Sequence, residues 1–118
     1  MITSITDFLR NVKYGLQNFW KWKRIIYVDR DWDWAFLYRI MAYKMECMAD
    51  CIEEYGCHYG KEVTVEELRE CASRLRRVEQ EDYGNGREMK WEVVEKLIEE
   101  DEAWVYKTMK EKARTWWD

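Results

Sequence analysis

A chain of 118 residues, 47% hydrophobic and 37% charged, fits one domain and can bury roughly two-thirds of its unfolded surface. With no proline and five glycines it has few helix breakers, which predicts long amphipathic helices and excludes a disordered composition. The net charge of −4 divides into +4 over residues 1–30 and −8 over 31–118, so an acidic body argues against duplex nucleic acid and leaves the N-terminal segment to any anionic partner.

In chain order, the first helix is predicted over about Thr6 to Ile25. Ser4 and Asp7 have capping-box spacing, and Ile5, Phe8, Leu9, Val12, Leu16, Phe19 and Trp20 form one apolar stripe. Such a basic amphipathic helix can lie on a membrane surface, but the plainer reading is a helix facing the core. No apolar run approaches the roughly 18 residues that span a bilayer, and no signal-peptide pattern opens the chain. An intracellular protein without a membrane partner is therefore expected.

"IIYV" at 25–28 is short and β-branched, which predicts an extended connector. The second helix is expected to start near Asp31 or Asp33 and to end at Gly56, with Gly56 as a left-handed cap. Its stripe comprises Leu37, Met41, Met48, Ile52 and Tyr55. With Asp33 as the N-cap, Trp32 and Leu37 have the spacing of a hydrophobic staple, so Asp31, Trp32 and Asp33 read as a structural helix start. Thr64 and Glu67 form a T-x-x-E capping box for a third helix, whose inner face is Leu68, Ala72, Leu75 and Val78. Glu66, Glu70, Arg74, Arg76 and Arg77 are expected on its solvated side. "DYGNGRE" at 82–88 is a turn. A fourth helix follows from about Glu88, with Trp91, Val94, Ile98, Val105 and Met109 in register. The fold class is all-α, an antiparallel bundle of about four helices.

The motifs of nucleotide hydrolysis, dinucleotide binding, zinc proteolysis and serine hydrolysis are absent, and the carboxylates lie in ordinary helix surfaces. A non-enzymatic protein without a cofactor is the expectation. Cys47, Cys51, Cys57, His58 and Cys71 span the corner between the second and third helices and offer soft ligands for zinc, but their spacing matches no common zinc module. The alternative is that the helical cysteines are small buried residues. Cys47 and Cys51 are four apart, about 6 Å between Cβ atoms on a helix, against the roughly 4 Å a disulfide needs.

Eight Trp, eight Tyr and three Phe supply much of a small core, and Phe8, Phe19, Phe36 and Trp91 are assigned to it. Trp116 and Trp117 cannot share one helix face, so one of them is expected outside the monomer's core, favouring a homo-oligomer. In "FWKWKRIIYVDR", Trp20 and Trp22 offer stacking surfaces while Lys21, Lys23, Arg24 and Arg30 offer phosphate-pairing cations. Cations at a helix C-terminus are also explained by the macrodipole alone.

"NFWKWKRIIYVDRDWDWAFLYRIMAYKME", with "EEYGCHYG" and the closing "RTWWD", resembles a family of small bacteriophage-encoded proteins that share an aromatic–basic segment, a "DRDWD" block and a Trp-rich tail. The position before His58 is Cys57, where the family pattern leads one to expect another histidine. The resemblance implies a phage accessory protein acting in the cytoplasm of an infected bacterium. Two functions follow: sequestration of a nucleotide-type immune signal by the interleaved Trp and Lys/Arg, or a protein–protein inhibitor or assembly factor acting through the acidic body and exposed tryptophans. The first is the leading expectation.

Overall fold

The computed structural model describes residues 2–29, 32–57, 59–84 and 88–116. Arg30, Asp31, His58, the centre of the 82–88 turn and Trp117 lie outside the described residues. Among the described residues the fold is all-α, with α1 at Ile2–Val28, α2 at Trp34–Tyr55, α3 at Lys61–Gln80 and α4 at Trp91–Lys112, closed by a 3-10 turn at Ala113–Thr115. The chain forms two compact units, Met1–Trp32 and Asp33–Asp118.

The first unit is α1. "IIYV" continues the helix to Val28 instead of leaving it, since no glycine or proline interrupts and β-branching lowers helix propensity only slightly. The stripe assigned to the core is exposed, with Phe8 at 65% and Phe19 at 68%. Amphipathicity states that a face needs cover without stating what covers it.

In the second unit, α2 starts where the sequence predicts. The Asp33 carboxylate accepts the Ala35 amide at 3.0 Å, satisfying one of the free N–H groups of the first turn. Trp32 and Leu37 are both largely exposed, so the expected staple contributes little burial. The buried face of α2 is Phe36, Tyr38, Ala42, Met45, Ala49 and Ile52, while Tyr55, placed in the stripe, is exposed. Gly56 is not left-handed: its φ is −67°, and its amide bonds to the Ile52 carbonyl at 2.7 Å. Glycine is needed there for room, because a Cβ would lie 2.3 Å from the Ile52 carbonyl oxygen.

The left-handed glycine of this corner is Gly60, with φ 84°, and α3 starts a turn earlier than the capping box implied. Thr64 is therefore inside the helix and buried, and its amide bonds to the Gly60 carbonyl at 3.3 Å. The Lys61 ammonium reaches the Gly56 carbonyl at 3.2 Å, supplying a cation at the C-terminal end of α2.

The inner face of α3 matches the expectation, with Leu68, Ala72, Leu75 and Val78 buried and Val65 and Cys71 added. Its arginines depart from it. Arg76 binds Glu46 through two hydrogen bonds of 2.9 and 3.1 Å, and Arg39 binds Glu79, so α2 and α3 run antiparallel under a ladder of ion pairs. Arg74 and Arg77 converge on Asp101 of α4, which is 4% exposed. The Tyr83 hydroxyl donates to the same carboxylate at 2.5 Å, and the Arg74 guanidinium rests 4.4 Å from the Trp104 ring centroid. Burial, reinforced by the hydrogen bond to Asp101, pushes the Tyr83 phenol above its ordinary value. Three donors on one carboxylate offset the desolvation of burying it and set how α3 meets α4.

Candidate functional site

The predicted site lies on α1. A helix advances about 100° per residue, so Trp20 and Trp22, two apart, point in nearly opposite directions. One base cannot be stacked between them. Trp20 is 70% exposed, and the Lys23 ammonium sits 3.3 Å from its ring centroid, covering one face of the indole. Arg24 follows Trp20 by one turn and is exposed, as is Lys21, whereas Trp22 is half-buried. Trp22 and Lys21 each have interaction partners of their own. The segment thus presents Trp20, Lys23 and Arg24 on one side of the helix, and Arg30 is outside the described residues.

The cysteines do not gather. Cys71 is fully buried in the core, Cys47 is half-buried, and Cys51 and Cys57 are exposed. Small-residue packing therefore describes Cys71 alone. Burial, with Glu67 and Glu70 nearby, pushes its thiol up to about 11. Among the described residues no three His, Cys, Asp or Glu side chains are grouped to hold a metal ion.

A cleft of about 470 Å³ lies between α2 and α4. Its walls are aromatic: Trp34 and Tyr38 on α2, Trp91 and Tyr106 on α4. The spacing that places them is simple. Trp34, Leu37 and Tyr38 share a face of α2, while Trp91, Glu95, Glu99, Glu102 and Tyr106 descend one face of α4 at intervals of four and three. Trp34 and Tyr38 meet edge to face with centroids 5.5 Å apart, and Tyr38 and Tyr106 do so at 6.5 Å. Trp34 and Trp91 are 55% and 56% exposed, so Trp91 is a wall of this cleft and not the core residue that its register implied.

The rim is acidic. Glu81, Glu95, Glu99 and Glu102 line the cleft, and among the described residues no Lys, Arg or His does. Glu102 accepts the Tyr38 hydroxyl at 3.0 Å, and Tyr38 also shares a hydrogen bond with the Tyr106 hydroxyl. Burial first, and then these two partners, push the Tyr38 phenol above its ordinary value, so it stays protonated and fixes the floor of the cleft. Among the described residues, Glu81, Glu95 and Glu99 are engaged in no ion pair. Aromatic faces carry the negative side of a quadrupole, and carboxylates add full negative charge. The arrangement attracts an organic cation and repels a phosphate.

A second cleft, of about 430 Å³, lies near the α2–α3 corner between Glu53, Lys61, Val65 and Arg69. Its cations are already engaged, Arg69 with Asp50 and Glu53, and Lys61 with backbone carbonyls. No helix among the described residues is long and apolar enough to cross a membrane. Compared with protein-family models, curated proteins and solved structures, the chain matches none of them.

Proposed function

We propose that this is a non-enzymatic binding protein that captures an arginine- or lysine-bearing segment of another protein in the cleft between α2 and α4. The observation that carries the reading is the coincidence of four aromatic rings and four glutamates around one concavity, with no cation among the described residues that line it. A cleft of this size accepts a long cationic side chain, whose methylene stem packs on the indoles while its head meets the carboxylates. Guanidinium suits it best, since it stacks flat on aromatic rings and pairs with carboxylates through two hydrogen bonds. The role that follows is an inhibitor or assembly factor acting on a host or phage protein, as the resemblance to small bacteriophage proteins would place it.

Titration calorimetry with a hexa-arginine peptide tests this. Binding should be lost in Glu95→Gln/Glu99→Gln and kept in Glu62→Gln/Glu66→Gln, which removes equal charge away from the cleft. Equal loss in both variants would reduce the effect to net charge and sink the site.

The exposed Trp20 with Arg24 one turn on supports a second reading, sequestration of a nucleotide-type signal. Calorimetry against cyclic and linear nucleotides is its test. Heat that vanishes in Lys23→Glu/Arg24→Glu supports it, and no heat from any nucleotide ends it.

A further inference from the structure

The exposed face of α1 carries a more specific pattern than amphipathicity. Ile5, Leu9, Val12, Leu16, Phe19 and Ile26 are spaced four, three, four, three and seven apart, and Lys23 fills the one gap in the alternation. The repeat is 3.5 residues, the period that keeps a seam of side chains facing a partner helix along its whole length. Every one of these six apolar residues is exposed, from 42% at Val12 to 68% at Phe19. A helix that only needed to cover part of a globular core would follow 3.6 and drift from this line.

We infer that α1 is a self-association helix, which pairs antiparallel with α1 of a second copy of this chain. Charge sets the direction. Lys21, Lys23 and Arg24 crowd the C-terminal third of α1, whereas the first third holds Asp7 beside Arg10 and is neutral on balance. Parallel pairing would place Lys23 against Lys23 in one core layer and set three cations beside three more. Antiparallel pairing separates the two clusters to opposite ends. The spacing permits it without a break: Ile5 lies opposite Lys23, Leu9 opposite Phe19, and Val12 opposite Leu16, each layer joining the two alternating seam positions. Lys23 then extends past Ile5 with its stem on apolar surface, as it already lies on Trp20. Gly15, beside the midpoint of the seam, has nothing within 4 Å of where a Cβ would stand. A glycine there weakens the helix relative to alanine, and close approach of a second helix is a use for it.

This places self-association on α1; at the C-terminus Trp116 is buried, and Trp117 lies outside the described residues. It is independent of what the α2–α4 cleft binds.

Sedimentation equilibrium of the full chain at tens of micromolar should give twice the 14.7 kDa chain mass. Leu9→Asp/Leu16→Asp should give a single-chain mass while the cooperative thermal transition of the 33–118 unit is retained. A wild-type monomer overturns the inference, as does a dimer that the double variant leaves intact. Direction is read in a background whose native cysteines are alanine. A mixture of I5C and K23C chains should cross-link on oxidation, and each alone should cross-link far less. Efficient cross-linking of I5C with itself overturns the antiparallel pairing. If a monomeric chain instead cosediments with phosphatidylglycerol vesicles, the stripe serves a lipid surface and the inference fails.

Discussion

Trp116 donates its indole N–H to the Glu67 carboxylate at 3.1 Å, tying the last described turn of the chain to the middle of α3. The ring is 7% exposed, so the contact joins burial to a hydrogen bond with a charged acceptor. Trp116→Ala should lower unfolding stability by about 3 kcal/mol, within the range for emptied aromatic sites. Trp116→Phe keeps most of the ring and loses the donor, so it should cost about half as much. Urea denaturation followed by far-ultraviolet circular dichroism measures both. Equal losses would assign the whole effect to the hydrogen bond.

Asp101 is a buried acid on which three side chains of other segments converge. Asp101→Asn keeps the shape but leaves Arg74 and Arg77 facing a neutral amide, and Tyr83 loses its charged acceptor. Complete removal of one partner from a fully buried pair costs about 3–5 kcal/mol, and the Arg77 side chain is 43% exposed, so about 2 kcal/mol is expected. Chemical denaturation decides. A loss below that of a surface Glu→Gln control would show that the arginines are satisfied by water.

Two glycines near one corner should respond to alanine for different reasons. At Gly56 the φ of −67° suits any residue, but a Cβ would meet the Ile52 carbonyl oxygen at 2.3 Å, so backbone must shift. At Gly60 nothing lies within 4 Å, and the cost is the left-handed φ of 84°. Gly60→Ala should cost about 1 kcal/mol and Gly60→Asn less, because asparagine tolerates that region. Gly56→Asn should be no better than Gly56→Ala. Thermal melts of the four variants provide the comparison.

Cys71 makes stability fall with rising pH. The thiol ordinarily titrates near 9.0, and in the folded chain it is pushed up to about 11. Below pH 9 the thiol is neutral in both states and its contribution is complete. Above that the unfolded chain loses the proton first, so stability falls through the window up to about pH 11, by about 3 kcal/mol in all. Tyr38 and Tyr83 shift in the same direction and add to the loss above pH 10. Cys71→Ala should flatten the curve between pH 9 and 10, as read by urea midpoints. An unchanged slope there would mean that burial does not hold the proton.

What the sequence made legible follows from the range over which each signal acts. Asp33 as a cap, and Leu68, Ala72, Leu75 and Val78 as an inner face, are decided within a few residues, and the structure agrees. The start of α3 was misplaced because Thr64 and Glu67 satisfy the spacing rule, while Gly60 and Lys61 supply a better start that no local motif announces. Asp101 reads as one more surface acid until Arg74, Arg77 and Tyr83 arrive from α3 and the segment that follows it. The cleft was hidden for the same reason: Trp34 stood in a helix start and Trp91 on an apolar register. Glu95, Glu99 and Glu102 in line with Trp91 and Tyr106 were the available sign. That face carries acids between two aromatics, which neither a core nor an ordinary solvated surface calls for.

The walls of the cleft should separate binding from folding. Trp34 and Trp91 are more than half exposed, so replacing either by alanine should change stability by under about 1 kcal/mol. Each replacement should weaken hexa-arginine binding about tenfold, as expected for a lost cation–aromatic contact in a partly desolvated site. Affinity should also fall with added salt.

Capture of a cationic segment in that cleft is decided by calorimetric titration of hexa-arginine into the full chain and into Glu95→Gln/Glu99→Gln. The parent chain should give a saturable isotherm, competed by free arginine methyl ester and absent from the double variant. An isotherm that survives the double variant unchanged, or no heat from the parent chain, would contradict it.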